Sequence, residues 1–159
     1  QQEDVLPDGV ILAKALGGGL MPVSAFVGRE DMMALFDPGS HGSTWGGNPL
    51  ASAVGKAALD VLVDEKLAER SAELGDYLLA ELKKINSSKI REIRGLGLWV
   101  GLDIDPDVAD AHDICLQLLD EGLLTKETQD TVLRLAPPLT ITKEQLDTAI
   151  TKLRKVLSE

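Results

Sequence analysis

The chain has 159 residues, of which 44% are hydrophobic and 26% are charged, as in ordinary globular proteins that bury a core. Its net charge of −10 disfavours non-specific binding to nucleic acid or to an anionic membrane. A local basic pocket for a phosphate or a carboxylate is still compatible with this charge. One cysteine excludes an internal disulfide and fits a reducing compartment, so we expect a cytoplasmic protein. No apolar run reaches the roughly 20 residues of a membrane span, and the two distant histidines give no metal-ligand spacing.

Hydrophobic patterning predicts strands, a loop and a long helical stretch in the first half. The predicted elements are a short buried strand at 10–13, a second strand at 22–28, a short helix at 29–36, a loop at 37–49 and a helical stretch at 50–85. We expect the two strands to belong to a parallel sheet. A break near Asp64, which could cap a second helix, is predicted within the helical stretch.

The second half is predicted to be a small α+β unit. Its elements are a strand pair at 90–104 bent at Gly95 and Gly97, a helix at 109–121 ending at Gly122, strands at 123–126 and 131–135, and a helix at 143–157 capped by Thr142. The polar run Lys126-Glu127-Thr128 is interpreted as a turn between two of these strands. The chain is therefore divided into sheet material at 1–50, connecting helices at 51–87 and a small α+β domain at 88–159.

Lys14 is the first candidate for chemistry. It lies in the apolar run 10–16 and is followed by Gly17, Gly18 and Gly19. Lysine is rarely buried without a partner, and an apolar setting favours the neutral, nucleophilic amine that forms a Schiff base with a carbonyl compound. A strand-end lysine whose amine reaches water is the alternative interpretation.

The loop at 38–49 is the second candidate. It contains four glycines, three hydroxyl side chains and His41, and it runs into a helix. Backbone N–H groups, the hydroxyls of Ser43 and Thr44, and the positive end of a helix together favour a phosphate. An ordered connecting loop with a helix cap at Asn48 explains the same composition.

Two arginines in the second half are further candidates. Arg134 alternates with apolar residues on a predicted strand, and its planar guanidinium suits a carboxylate. A solvent-facing strand residue is the alternative. For Arg94, which precedes Gly95, we favour a structural ion pair.

Three of these segments together resemble the class III (subgroup II) aminotransferases, which use pyridoxal phosphate. Residues 11–19 (Ile-Leu-Ala-Lys-Ala-Leu-Gly-Gly-Gly) resemble the family's Schiff-base lysine segment, and residues 42–49 (Gly-Ser-Thr-Trp-Gly-Gly-Asn-Pro) resemble its phosphate loop. Residues 93–98 (Ile-Arg-Gly-Leu-Gly-Leu) resemble the opening of its C-terminal small domain. The resemblance implies an α/β fold, namely the C-terminal part of a fold-type I transferase: the end of the large-domain sheet, a long connecting helix and an α+β small domain.

The resemblance also implies roles for individual residues. Lys14 would bind the aldehyde of pyridoxal phosphate as a Schiff base and then move a proton between substrate and cofactor. Ser43 and Thr44 would bind the cofactor phosphate of the neighbouring subunit, which implies a homodimer with shared active sites. Arg134 would bind the α-carboxylate of glutamate or 2-oxoglutarate.

Within the family, the segments at 14–25, 124–128 and 134–139 are most similar to enzymes that use ornithine. The implied reaction moves the δ-amino group of ornithine to 2-oxoglutarate and gives glutamate semialdehyde and glutamate. In such enzymes the arginine at position 134 can pair with a glutamate while ornithine is bound. Enzymes that use acetylornithine or another ω-amino acid are the alternative; they share the phosphate loop but typically lack the Lys-Glu-Thr at 126–128.

Family members are much longer than this chain, which begins just before the lysine segment. The family's pyridine-binding aspartate, its ring-stacking aromatic residue and the glutamate partner of Arg134 have no counterpart here. We therefore expect a C-terminal part of an aminotransferase that by itself neither transaminates nor binds the cofactor tightly. A non-catalytic dimerisation module is the alternative from a different class of protein.

Overall fold

The computed structural model describes residues 4–158, which divide between Glu65 and Lys66 into two units. The first unit contains β1 (Gly9–Leu12), a one-turn 3₁₀ helix (Lys14–Gly17), β2 (Ala25–Gly28), α1 (Glu30–Met33) and α2 (Pro49–Asp64). The second contains α3 (Leu67–Leu82), β3 (Ile90–Leu96), β4 (Trp99–Ile104), α4 (Ala111–Asp120), β5 (Lys126–Thr128), β6 (Val132–Leu135) and α5 (Lys143–Leu157).

The predictions of a buried first strand and of a parallel sheet in the first unit are both wrong. β1 pairs with β2 in an antiparallel two-stranded sheet, with Gly9 opposite Gly28 and Leu12 opposite Ala25. Ile11 in the middle of β1 is 77% exposed, so none of the described residues 4–65 buries this side chain. A short apolar run does not reveal its partner, and an antiparallel pair needs no long crossover connection.

The predicted break in the long helical stretch is confirmed, but the predicted cap is wrong. Asp64 is the last residue of α2, since the N–H of Glu65 still donates to the carbonyl of Val61 at 3.0 Å. The N-cap of α3 is Lys66, which has a left-handed φ of 50° and makes no capping hydrogen bond through its side chain. The tight left-handed link therefore separates the two helices without a carboxylate cap.

The second unit is a four-stranded antiparallel sheet with three helices on one face. The strand order is β3-β4-β6-β5; α3 and α4 pack on the strands, and α5 packs against both of these helices, with side chains of all three in one core. Alternation along β4 and β6 sends Leu102 and Leu133, both fully buried, into the core, whereas Gly101 and Arg134 belong to the opposite, outer face. The sheet thus has an apolar face that supports the fold and an open face that carries charge.

The interpretation of Lys126-Glu127-Thr128 as a turn is wrong, because these residues form the edge strand β5. Lys126 pairs with Arg134 and Thr128 with Val132. The reversal lies at Gln129 and Asp130, whose φ values of 51° and 64° are both left-handed. Turns with left-handed residues usually carry glycine or asparagine, so this sequence gave no clear signal for the turn.

Helix ends in the second unit agree with the sequence. Gly122, with a φ of 74°, follows α4, and the hydroxyl of Thr142 accepts from the N–H of Gln145 in a full capping box at the start of α5. None of the helices within residues 4–158 combines the length and the apolar character needed to cross a membrane.

The turn between β3 and β4 packs directly on α3 through two glycines. A Cβ atom added at Gly75 would lie 2.1 Å from the carbonyl carbon of Gly97, so the helix and the turn are in backbone contact. Gly97 itself has a left-handed φ of 55°, and the next N–H, of Leu98, donates to the hydroxyl of Ser71 at 3.1 Å. This contact fixes the β3–β4 hairpin on the helical layer.

The substitution Gly75→Ala is expected to lower the free energy of unfolding by about 1–3 kcal/mol, because backbone must shift to admit the methyl group. Urea unfolding followed by circular dichroism measures the effect. Gly55→Ala in α2 is the matched control, since its new Cβ would meet Val23 Cγ1 at 3.4 Å, an ordinary contact, and alanine favours helix. Equal losses in the two variants would contradict the proposed backbone contact.

Candidate functional site

Lys14 opens the one-turn 3₁₀ helix that follows β1. Its φ of 56° is left-handed, which costs a non-glycine residue roughly 1–2 kcal/mol. The side chain is exposed, so residues 4–158 do not provide the apolar surroundings expected for it. Backbone strain of this kind is often kept where a side chain must point in a required direction.

The turn that carries Lys14 packs on α2. Gly18 has a left-handed φ of 61°, and a Cβ atom there would meet the methyl group of Ala58 at 3.2 Å. A Cβ atom at Gly55 of the same helix would meet the carbonyl oxygen of Leu16 at 3.8 Å, an ordinary contact. The tight approach of the turn to α2 therefore uses Gly18, and α2 sets the position of the lysine.

The loop before α2 has the cap expected of a connecting loop and the exposed hydroxyls expected of a phosphate site. Asn48 caps α2 by accepting from the N–H of Ala51 at 2.9 Å, so the predicted cap is confirmed. The hydroxyl of Ser43 accepts from the N–H of Gly46 at 3.1 Å, and Ser43 and Thr44 are both exposed. The two interpretations of this loop are compatible.

Lys14 and Ser43 line different clefts of the first unit. A cleft of about 510 Å³ lies between Lys14 and the segment 21–24. A second cleft, of about 450 Å³, lies between the same segment and the loop and is lined by Ser43. Thr44 lines neither cleft, so the structure does not bring the lysine and the two hydroxyl residues into one cleft of one chain.

Arg134 lies on the outer face of the second unit. It is exposed, and its carbonyl accepts from the hydroxyl of Thr125 at 2.9 Å, which ties β6 to the chain entering β5. The register places Arg134 between Gly101 of β4 and Lys126 of β5. Arg94 of β3 lies opposite Gly101, so the row Arg94–Gly101–Arg134–Lys126 crosses the whole sheet.

Arg94 makes the structural ion pair expected from the sequence. Its guanidinium lies 2.7 Å from Glu92 and 3.8 Å from Asp103. Asp103 is 8% exposed and accepts from Arg91 Nη2 and from the hydroxyl of Thr131, each at 2.8 Å. The hydrogen bond from Arg91 holds the pKa of Asp103 below its ordinary value.

Sequence reasoning missed a polar cluster beside Arg134. Glu127 Oε1 lies 3.3 Å from His112 Nδ1, and Cys115 lies against the same carboxylate. Burial, followed by the neighbouring Glu127, raises the pKa of the Cys115 thiol to about 11, so the thiol stays protonated at neutral pH. These residues and Arg134 line a largely apolar cavity of about 740 Å³.

Recognition of the turn at 129–130 would have revealed part of this arrangement. Once that turn is placed, antiparallel pairing puts Lys126 opposite Arg134 and Glu127 on the inner face.

Among the described residues, no group of three or more His, Cys, Asp or Glu side chains is arranged to hold a metal ion.

The chain belongs to the class-III aminotransferases, whose family model matches residues 1–157. Among curated relatives, the ornithine aminotransferase of Geobacillus sp. (strain WCH70) is 53% identical over 156 residues, which is 98% of this chain and 38% of the relative. That of Staphylococcus carnosus (strain TM300) is 56% identical over 151 residues, which is 95% of this chain and 37% of the relative. The chain thus spans less than two fifths of the length of these relatives.

Solved structures confirm the predicted fold class. An ornithine aminotransferase from Plasmodium yoelii superposes with a TM-score of 0.92 at 42% identity; the match covers 98% of this chain and 42% of that protein. An ornithine aminotransferase from Toxoplasma gondii ME49 superposes with a TM-score of 0.93 at 43% identity; the match covers 98% of this chain and 38% of that protein. Acetylornithine aminotransferase from Elizabethkingia anophelis gives 0.91 at 46% identity, with 98% and 42% covered. Another Toxoplasma gondii ornithine aminotransferase structure has PLP at partial occupancy in its active site.

Asp103→Asn is expected to lower the free energy of unfolding at pH 7 by about 1–3 kcal/mol, because charged hydrogen bonds are lost from a buried position. The folded pKa of Asp103 lies below its ordinary value of 3.8, so its contribution is present above that value and disappears as the pH falls through the folded pKa. Urea unfolding at pH 7 and at acid pH should therefore show a smaller loss on acidification in the variant. The exposed Asp120→Asn serves as control, and identical acid profiles for Asp103→Asn and the unsubstituted protein would contradict this role.

Proposed function

We propose that the protein carrying this chain is an aminotransferase that moves the δ-amino group of ornithine to 2-oxoglutarate. The products are glutamate semialdehyde and glutamate. The observation that carries the proposal is the exposed amine of Lys14, held on a strained turn beside a cleft in the segment that resembles the family's Schiff-base lysine. The identity of 53% with the ornithine aminotransferase of Bacillus subtilis over 155 residues supports this choice of substrate.

Pyridoxal phosphate, when bound, would supply an aldehyde and an electron sink for the bonds around the reacting carbon. Lys14 would attach to that aldehyde through Nζ. Once substrate has displaced it, the free amine would take a proton from the substrate carbon and return it to the cofactor side. The strained turn at Lys14 and its packing on α2 support a fixed direction for this amine.

Ser43 and Thr44 are proposed to bind the phosphate of the cofactor. Their exposed hydroxyls precede the N-terminus of α2, where backbone N–H groups and the helix dipole favour an anion. Because Ser43 and Lys14 line different clefts, the arrangement supports a homodimer in which the loop of one subunit serves the lysine of its partner. A cytoplasmic location is part of the same proposal.

Arg134 is proposed to bind the α-carboxylate of glutamate or 2-oxoglutarate. Its guanidinium stands exposed on the outer face of the sheet, and among residues 66–158 no acidic side chain forms an ion pair with it. An exposed arginine without an acidic partner can make a bidentate contact with a carboxylate.

The choice of amino donor tests the proposal. A full-length enzyme containing this chain should convert ornithine and 2-oxoglutarate to glutamate semialdehyde and glutamate, and should use N-acetylornithine at least about tenfold less well in kcat/KM. Lys14→Ala should abolish turnover while leaving circular dichroism unchanged. A preference for N-acetylornithine would favour the alternative supported by the Elizabethkingia anophelis relative, which is 46% identical.

The 159-residue chain by itself is expected to bind pyridoxal phosphate only weakly, because Lys14 is exposed and the chain spans less than two fifths of its relatives. Absorbance titration with pyridoxal phosphate, followed by borohydride reduction and mass spectrometry, measures attachment at Lys14. Lys14→Ala, with the remaining lysines intact, is the control. A stable, stoichiometric absorbance band that this substitution abolishes would overturn the expectation.

A further inference from the structure

The outer face of the second unit places two cations directly opposite each other. Lys126 and Arg134 are cross-strand partners of β5 and β6, so their side chains leave the sheet on the same face. Lys126 is 72% exposed through its side chain, and Arg134 is also exposed. Like charges in this position destabilise a strand pair, which makes the arrangement unfavourable for folding alone.

Arg94, the other arginine of the same row, is paired with acidic side chains. Arg134 differs from it in this respect. Arg94 has Glu92 at 2.7 Å and Asp103 at 3.8 Å, whereas no acidic side chain of residues 66–158 pairs with Arg134. The acid nearest to Lys126 is Glu127, at 3.9 Å, and that carboxylate already contacts His112 and its own backbone N–H. Two cations therefore share one acidic neighbour: Lys126 has Glu127 at 3.9 Å, and Arg134 has no acidic partner among residues 66–158.

The remaining neighbour of the pair leaves space beside Arg134. Gly101 lies on the other flank of Arg134 and has no side chain, and a Cβ atom there would meet Val132 Cγ1 at 3.0 Å. Because glycine carries no side chain, the surface of the sheet beside the guanidinium stays open. A small anion can therefore approach Arg134 from the open face of the sheet with Lys126 on one side.

We propose that Lys126 is a second carboxylate-binding residue, which shares with Arg134 the carboxylate next to the reacting carbon of the oxo acid. The inference rests on the proposed function, in which Arg134 binds that carboxylate. A carboxylate has two oxygens and about four acceptor positions, so one group can accept from a guanidinium and an ammonium together. Its binding would also relieve the repulsion between the two cations.

This role is specific to one of the two substrates. In 2-oxoglutarate and glutamate the carboxylate is attached directly to the carbon that exchanges its nitrogen, whereas in ornithine the reacting δ-amino group is three carbons further from the carboxylate. A cation pair placed for the first geometry does not meet the ornithine carboxylate. Lys126 should therefore set the affinity for the oxo acid and leave that for ornithine unchanged.

Steady-state kinetics of the full-length enzyme containing this chain tests the inference. Lys126→Gln should raise KM for 2-oxoglutarate by about tenfold, the effect of losing one charged hydrogen bond, with kcat and KM for ornithine changed by less than about twofold. Lys126→Arg should restore most of the affinity. Lys83→Gln, which removes an exposed lysine from the end of α3, is the charge-matched control and should change neither constant.

An unchanged KM for 2-oxoglutarate in Lys126→Gln, or an equal rise of KM for both substrates, would overturn the inference. The result remains separable from the proposed function, because KM for 2-oxoglutarate can be measured with any amino donor that the enzyme accepts. Rejection of ornithine would contradict the proposed function, while a selective rise of KM for the oxo acid would still support the role of Lys126.

Discussion

The register between β4 and β6 is the constraint on which the second unit depends. Leu102 faces Leu133 across these strands, and both are fully buried under the helices. Because side chains alternate along a strand, this apolar pair sends Gly101 and Arg134 to the outer face. A slip of one residue would bury the guanidinium and expose the leucine, so packing of the core also fixes the position of the charge.

In the first unit the equivalent constraint is local. The sheet of β1 and β2 has only two strands, and the turn after β1 is held instead by packing on α2, which Gly18 approaches closely. The left-handed backbone of Lys14 is the conformational cost of that turn, and Gly18, which has no side chain, lets the turn approach Ala58 of α2. The same helix begins at the Asn48 cap, so α2 orders both the lysine turn and the loop.

The sequence predicted features that arise within a few residues. Capping of α5 by Thr142 and the end of α4 at Gly122 are set by local hydrogen bonds and by glycine, and both were found where expected. Pairing of β1 with β2 and the strand at Lys126 depend on residues distant in sequence, and the turn at Gln129 lacks the usual glycine. Exposure of Lys14 likewise depends on packing that an apolar run does not reveal.

Electrostatics explains why a local pair of cations matters in an acidic chain. A net charge of −10 repels a dicarboxylate at long range, but salt screens this field over roughly 8 Å at physiological ionic strength. Within that distance the nearest charges decide, and at Arg91 and Arg94 they are cancelled by Asp103 and Glu92. On the outer face, acidic residues thus pair with the arginines that support the fold. Among residues 66–158, none pairs with Arg134. Charge on this face is therefore arranged so that one region stabilises the sheet, while the adjacent region carries the two cations for which we propose a carboxylate partner.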